Sequence, residues 1–241
     1  MKTIVLTGAS SGVGLDLLRA LGGANTIINL SRRTPPEDAV SQAPGFIHIA
    51  TDLADSSSVA AAIASVVERT PQGIDGLINC AAVQFTPQFT SDDFDSASIA
   101  TEIAINLTSP AQLIHGLLVS LGQKPESFIL NVNSGLGLVP KRESAIYCAT
   151  KAGLDNLSRG LRAQLQGTGL QVGQAFLPLV DTPMTTGRGN GKLSSREVAR
   201  QIIKGIERGV DDNDIGKAKL LRIVNRLSPS IASRIMQKAE S

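Results

Sequence analysis

The sequence predicts an α/β fold in one domain, a doubly wound parallel sheet with helices on both faces. Three observations carry that expectation. Short runs rich in Val, Ile and Leu alternate with longer stretches of helical periodicity along most of the chain. The short runs are apolar almost throughout, as strands covered on both faces should be, and do not alternate in and out. The 241 residues, 42% of them hydrophobic, suffice for one full core.

In chain order, a strand over residues 3–7 runs into a glycine turn and an amphipathic helix over 12–21. Strands follow at 26–30 and 46–49, separated by a segment over 34–38 whose Pro35-Pro36 pair marks a surface loop. Asp55 is placed to cap a helix over 56–69, and a strand at 77–79 follows it. A long helix is expected over 99–121, a strand over 127–132, a helix over 145–165 and a strand over 170–176. Residues 185–192 carry three glycines and read as an exposed loop or a mobile lid. Ser194 caps the last of these helices, over 195–208. No internal repeat or linker divides the chain, so 1–241 is one domain, with 211–241 a basic amphipathic extension.

Composition removes whole classes of function. The net charge is +2, from 23 basic and 21 acidic residues, so no chain-wide field draws in nucleic acid. Aromatics make up 3%, with six Phe and one Tyr, too few for a base-stacking surface. Cys80, Cys148, His48 and His115 form no ligand spacing, and no metal is expected. The opening residues meet Gly8 too early for a secretory core, and no run approaches the roughly 18 apolar residues of a membrane span. A soluble cytoplasmic protein is the expectation.

The chemistry begins at Thr7-Gly8-Ala9-Ser10-Ser11-Gly12-Val13-Gly14, a strand-to-helix junction. Glycine permits the tight turn and close approach of backbone N–H groups to a pyrophosphate, and the helix N-terminus adds donors and partial positive charge. The spacing resembles the cofactor turn of the short-chain dehydrogenase/reductase family, whose fold is Rossmann-like. The resemblance continues through Asp52-Leu53, Asn79-Cys80-Ala81-Ala82, Asn106, Ser134, Tyr147, Lys151 and Val180-Asp181-Thr182. It departs at Ala82 and at Leu177-Pro178, where the family usually has Gly and Pro-Gly, and at the C-terminus, which lacks a final Asp-Gly-Gly strand.

The resemblance implies an oxidoreductase that interconverts a carbonyl and an alcohol by hydride transfer. Its cofactor residues would be Gly8, Ser10, Ser11, Gly12, Val13, Gly14, Ser31, Arg32, Arg33, Asp52, Leu53, Asn79, Ala81, Tyr147, Lys151, Pro178, Val180 and Thr182. Tyr147 would be the acid–base group, with Ser134 on the carbonyl oxygen, Lys151 on the nicotinamide ribose and Asn106 on a water chain refilling the proton. A helical spacing of four puts Lys151 one turn from Tyr147, where an ammonium would lower the phenol pKa. The second strand ends Ser31-Arg32-Arg33, with no carboxylate for a ribose hydroxyl and two guanidiniums for a phosphate. NADP(H) is therefore expected over NAD(H), unless the arginines are ordinary surface charges.

The substrate is expected to be a small, largely apolar carbonyl or alcohol, bound by loops 83–93, 135–143 and 181–192, with Gln84, Phe85, Leu136 and Met184 in the wall. The family's habit implies a homodimer or homotetramer. Lys217, Lys219, Arg222, Arg226, Arg234 and Lys238 punctuate an apolar tail with no acid before Glu240. The favoured reading packs that tail on its own domain or a partner subunit, and the rival lays it on a membrane surface or caps the pocket. Two non-catalytic functions stand as alternatives: an NADP(H)-sensing regulator, and a peripheral membrane interaction protein.

Overall fold

The computed structural model of the chain describes residues 1–238, so Glu240 lies outside the described residues. In chain order the strands are β1 (Thr3–Thr7), β2 (Thr26–Ser31), β3 (Gly45–Ala50), β4 (Gly76–Asn79), β5 (Phe128–Ser134), β6 (Gln171–Leu177), β7 (Val180–Asp181), β8 (Leu193–Ser194) and β9 (Asp212–Asp214). Seven of them form a parallel sheet in the order β3-β2-β1-β4-β5-β6-β9, and β7 pairs with β8 apart from it.

The central strands are apolar on both faces because both faces are covered. Ile4, Leu6, Ile27, Ile78 and Leu130 lie in one core with residues of α1 (Gly12–Leu21) and α7 (Ser195–Glu207). Val5, Ile28, Leu30, Leu77 and Ile129 lie in the other with α3 (Ser56–Arg69) and α5 (Ser109–Gly122). A fully buried Leu or Ile contributes about 1.5–3 kcal/mol, so both layers are anchored. Amides interrupt this apolar filling: Asn79 Nδ2 donates to Asn131 Oδ1 (2.9 Å), and Asn131 Nδ2 donates to Ser158 Oγ (2.8 Å) on α6 (Ala145–Gln164). Asn133 Nδ2 likewise donates to Gln174 Oε1 on the neighbouring strand (2.9 Å). The two expected caps form, with Asp55 accepting from Ser57 N–H (2.8 Å) and Ser194 from Glu197 N–H (3.2 Å).

Several elements differ from expectation. A short helix, α2 (Glu37–Val40), grows out of the 34–38 loop, because Pro36 presets its entry and Glu37 and Asp38 favour its first turn. The long helix runs as α4 (Ala97–Ile103) into α5 through a π-helical turn at Ala104–Thr108. Pro110 has no N–H to give the Asn106 carbonyl its ordinary helical bond, and the ladder widens beside it. This run is apolar and long enough to cross a membrane by composition, yet Leu113, Ile114, Leu117 and Leu121 are buried in the core. A final strand does exist although Asp-Gly-Gly is missing: Asp212-Asn213-Asp214 pairs with β6. Its charges are paired, Asp212 with Arg162 (2.5 Å) and Asp214 with Arg222 (2.6 and 2.8 Å), so a polar triplet can close the sheet.

The basic tail is a helix pair, α8 (Lys217–Leu227) and α9 (Pro229–Lys238). Arg222 is no solvated stripe residue. Its guanidinium lies 4.2 Å from the centre of the Phe176 ring, and Asn225 Nδ2 donates to Leu138 O (3.2 Å), which seats α8 on its own domain. Leu220, Ile223, Leu227, Ile231 and Ile235 remain exposed.

Candidate active site

The strand order reverses between β1 and β4, which opens a crevice at their carboxyl ends. Thr7 Oγ1 stitches the two sides by accepting the N–H groups of Cys80 (2.9 Å) and Ala81 (3.0 Å). Gly8 has φ +78°, and a Cβ there would stand 2.9 Å from Ala81 Cα. At Gly14 a Cβ would meet Gly8 O at 2.2 Å, and at Gly12 it would meet Thr182 Cγ2 at 3.2 Å. Glycine spacing thus brings the turn, the fourth-strand motif and Thr182 onto one another.

The N-terminus of α1 receives no side-chain cap from Ser11, which leaves its first N–H groups for an anion. Asn79 Oδ1 is a buried acceptor without a partner at the end of β4. A cradle of glycine backbone under an uncapped helix end fits a dinucleotide pyrophosphate. The Val13 side chain is buried in the core, so only its main chain faces the cradle. Ser10 and Ser11 stay partly exposed on the turn.

Ser31 is turned inward: it accepts from Asn29 Nδ2 (2.9 Å) and donates to Arg33 O (2.8 Å). Its hydroxyl is therefore already committed, while Arg32 and Arg33 are exposed. Among the described residues neither arginine pairs with a carboxylate. Asp52 turns one carboxylate oxygen onto Ala54 N–H (3.0 Å), and Leu53 is buried in the core. Pro178 packs towards Gly216, where a Cβ would lie 3.4 Å from its ring, and Val180 is buried in the β7–β8 pair.

Tyr147 and Lys151 lie on α6, and Ser134 ends β5. The loop after Ser134 presses on α6 because Gly137 lacks a side chain; a Cβ there would come within 2.9 Å of the Lys151 carbonyl carbon. Ser134 Oγ accepts Leu136 N–H (3.1 Å), and its side chain favours the ionised form of the Tyr147 phenol. Lys151 Nζ sits 5.7 Å from the Tyr147 ring centre and donates to Val132 O (2.8 Å).

Electrostatics corrects one expectation here. The Tyr147 pKa stands above its ordinary value, because burial of the phenol outweighs the Ser134 hydrogen bond. Lys151 is itself lowered to about 8 by burial, and its ammonium is committed to a carbonyl, so it does not depress the phenol. Cys80 is pushed up to about 12 by burial and stays a thiol at neutral pH.

Asn106 is buried beside this group of residues. Its side chain clamps Val83 from both sides, accepting its N–H (2.9 Å) and donating to its C=O (2.8 Å), and reaches Thr150 Oγ1 (3.3 Å). The amide is spent on structure.

Two participants, Glu102 and Arg188, went unremarked in the sequence, and Gln84 was expected only as part of the pocket wall. Glu102 is buried one helical turn before Asn106 and accepts Phe85 N–H (3.1 Å); burial raises its pKa. An acid spaced four residues from Asn106 was its signal. Gln84 Nε2 donates to Ser144 Oγ (3.1 Å), and Arg188 donates to Gln84 Oε1 (2.9 Å). Those two were visible only as members of loops.

Comparison with known proteins agrees with this architecture. The family model described as short chain dehydrogenase matches residues 2–192. An uncharacterized oxidoreductase, DltE, of Bacillus subtilis is 28% identical, over 93% of this chain and 92% of its own. The ketoacyl reductase HetN of Nostoc sp. is 29% identical, over 97% of this chain and 88% of its own. A short chain dehydrogenase from Burkholderia cenocepacia, solved in complex with NADP, superposes with a TM-score of 0.85 at 21% identity, covering 98% of this chain and 97% of that one. On the match over residues 2–192, the chain belongs to the short-chain dehydrogenase/reductase family of oxidoreductases.

Proposed function

We propose that this chain is an NADP(H)-dependent oxidoreductase that interconverts a small carbonyl compound and its alcohol, with Tyr147 as acid–base group. The observation that carries the reading is the buried Tyr147, its phenol influenced by Ser134 and its ring 5.7 Å from Lys151 Nζ, one helical turn away. The cofactor supplies the hydride when bound. The N–H groups of the Gly12–Gly14 turn would hold its pyrophosphate, Arg32 and Arg33 its 2′-phosphate, and Asn79, Ala81 and Thr182 the sides of the crevice. Asp52 would sit by the adenine, and the Lys151 ammonium would hold the ribose.

In the reducing direction a raised phenol pKa keeps the Tyr147 proton in place at neutral pH, ready for the oxygen of a carbonyl that becomes an alkoxide. The Ser134 hydroxyl, whose oxygen already accepts Leu136 N–H, stabilises negative charge on that oxygen and on the phenolate left behind. Lys151 returns a proton to Tyr147, and a water chain supported by Asn106 would refill it. Exposed arginines after β2, with no carboxylate nearby, support NADP(H) over NAD(H). A homodimer or homotetramer suits the exposed Val119 on the outer face of α5. No observation favours the sensor or the membrane-protein alternatives.

The test follows NADPH absorbance over a panel of ketones and aldehydes, with wild type and Tyr147→Phe. The variant should bind NADPH as wild type does and lose turnover by about 10²-fold or more. Wild-type rates in the variant, or no turnover of any compound by wild type, would overturn the proposal.

A further inference from the structure

Among the described residues, one cation at this site, Arg188, has no counter-ion. Arg188 stands in the glycine loop after β7, yet it is not on a loose tip. Its N–H donates to Thr185 O (3.0 Å), and the buried Thr185 hydroxyl donates in turn to Val180 O (2.5 Å). Gly187 and Gly189 flank it with φ of +75° and +53°, and a Cβ at Gly189 would strike Leu179 at 2.6 Å. The backbone therefore presents Arg188 from a shaped turn.

Its side chain crosses to the opposite wall and donates one N–H to Gln84 Oε1 (2.9 Å). Gln84 is itself held by Ser144, a buried residue at φ +57° that begins the helix carrying Tyr147. Among the described residues Arg188 meets no carboxylate. Glu102, the acid nearest in effect to Tyr147, is tied to Phe85 N–H. The charge of Arg188 is nevertheless felt at the Tyr147 phenol. A guanidinium offers five N–H donors in a flat fork, and a neutral amide oxygen takes only one of them here. Such a fork matches the two oxygens of a carboxylate.

We propose that Arg188 recognises a carboxylate on the substrate, so that the carbonyl compound reduced beside Tyr147 is an oxo acid, and that Gln84 holds the guanidinium in position until the acid arrives. The inference rests on the carbonyl–alcohol reading above. An oxo acid brings its own counter-charge to this guanidinium. Its neutral ester leaves the guanidinium with the single amide bond it already has.

The experiment measures kcat/KM with NADPH for 2-oxo, 3-oxo and 4-oxo carboxylates of one chain length and for their methyl esters. It uses the full chain as wild type, Arg188→Gln, Arg188→Lys and Gln84→Glu. In wild type the best oxo acid should exceed its ester by about tenfold or more, chiefly through KM, as one charge-assisted pair provides. Arg188→Gln should bring that ratio near unity, and Arg188→Lys should retain part of it. Gln84→Glu, which sets a competing carboxylate against Arg188, should also lower the ratio. Esters reduced as well as acids by wild type, or a ratio that survives Arg188→Gln, would overturn the inference and leave the reductase reading standing. No NADPH consumption with any acid or ester would overturn both.

Discussion

Gly14→Ala is the sharpest probe of the cradle. The added Cβ would lie 2.2 Å from Gly8 O and 2.8 Å from Gly8 C, both of them backbone atoms that no rotamer change can move. Restoring ordinary contact needs a displacement of roughly 1 Å between the turn and the start of α1. Overpacking of that kind costs about 1–3 kcal/mol. In a chain of this size that lowers Tm by about 2–12 °C. The same displacement moves the first-turn N–H groups away from the pyrophosphate. Losing one charge-assisted bond of about 1.5–3 kcal/mol weakens NADPH binding by about tenfold to 150-fold. Thermal unfolding and fluorescence titration with NADPH measure the two effects. Gly160→Ala is the control: nothing lies within 4 Å of its Cβ, and Ala in a helix interior should hold or raise Tm. A Gly14→Ala protein with Tm within about 1 °C of wild type and NADPH affinity within about twofold would refute the cradle.

Replacing both Arg32 and Arg33 with Ala should weaken NADPH binding about tenfold or more and leave NADH binding unchanged, with the difference shrinking at high salt. Tighter NADH than NADPH binding by wild type would end the phosphate assignment. Lys151 makes a prediction about stability and pH. Its folded pKa of about 8 lies below the ordinary 10.5, so between those values the unfolded chain binds the extra proton. Stability from this group therefore rises as pH climbs from about 8 towards 10.5, after the buried ammonium has been a cost at lower pH. The Tm of wild type relative to Lys151→Met should accordingly increase between pH 7.5 and pH 10. A constant difference would mean that Lys151 is not desolvated as the structure has it.

The central strands were legible because burial on both faces forces them to be apolar, and the glycine turn because only glycine tolerates its backbone. β9 was not, since a strand of Asp-Asn-Asp is stabilised by Arg162, 50 residues before Asp212, and by Arg222 on the helix that follows. The π-helical turn was hidden although Pro110 was in plain view, because one proline near a helix start is ordinarily harmless. For the site, chain order placed Ser134, Tyr147 and Lys151 together. The sign of the Tyr147 shift eluded the sequence because proximity in a helix says nothing about desolvation or about the carbonyl that holds Lys151. The Arg188–Gln84 contact joins residues 104 positions apart and left no local trace.

The buried amides bear on how the chain finds its register. Ile27-Ile28, Leu77-Ile78 and Ile129-Leu130 are apolar on both faces, so sliding one strand by a residue would exchange one greasy surface for another at little cost. Asn79 opposite Asn131, and Asn133 beside Gln174, remove that freedom. A slipped pairing would leave several amides sealed from water without partners, at about 1–3 kcal/mol each. Misaligned sheets are thereby penalised by an amount comparable to the chain's whole margin of stability. The few polar side chains in the strands thus serve folding fidelity, a task the hydrophobic majority beside them cannot perform.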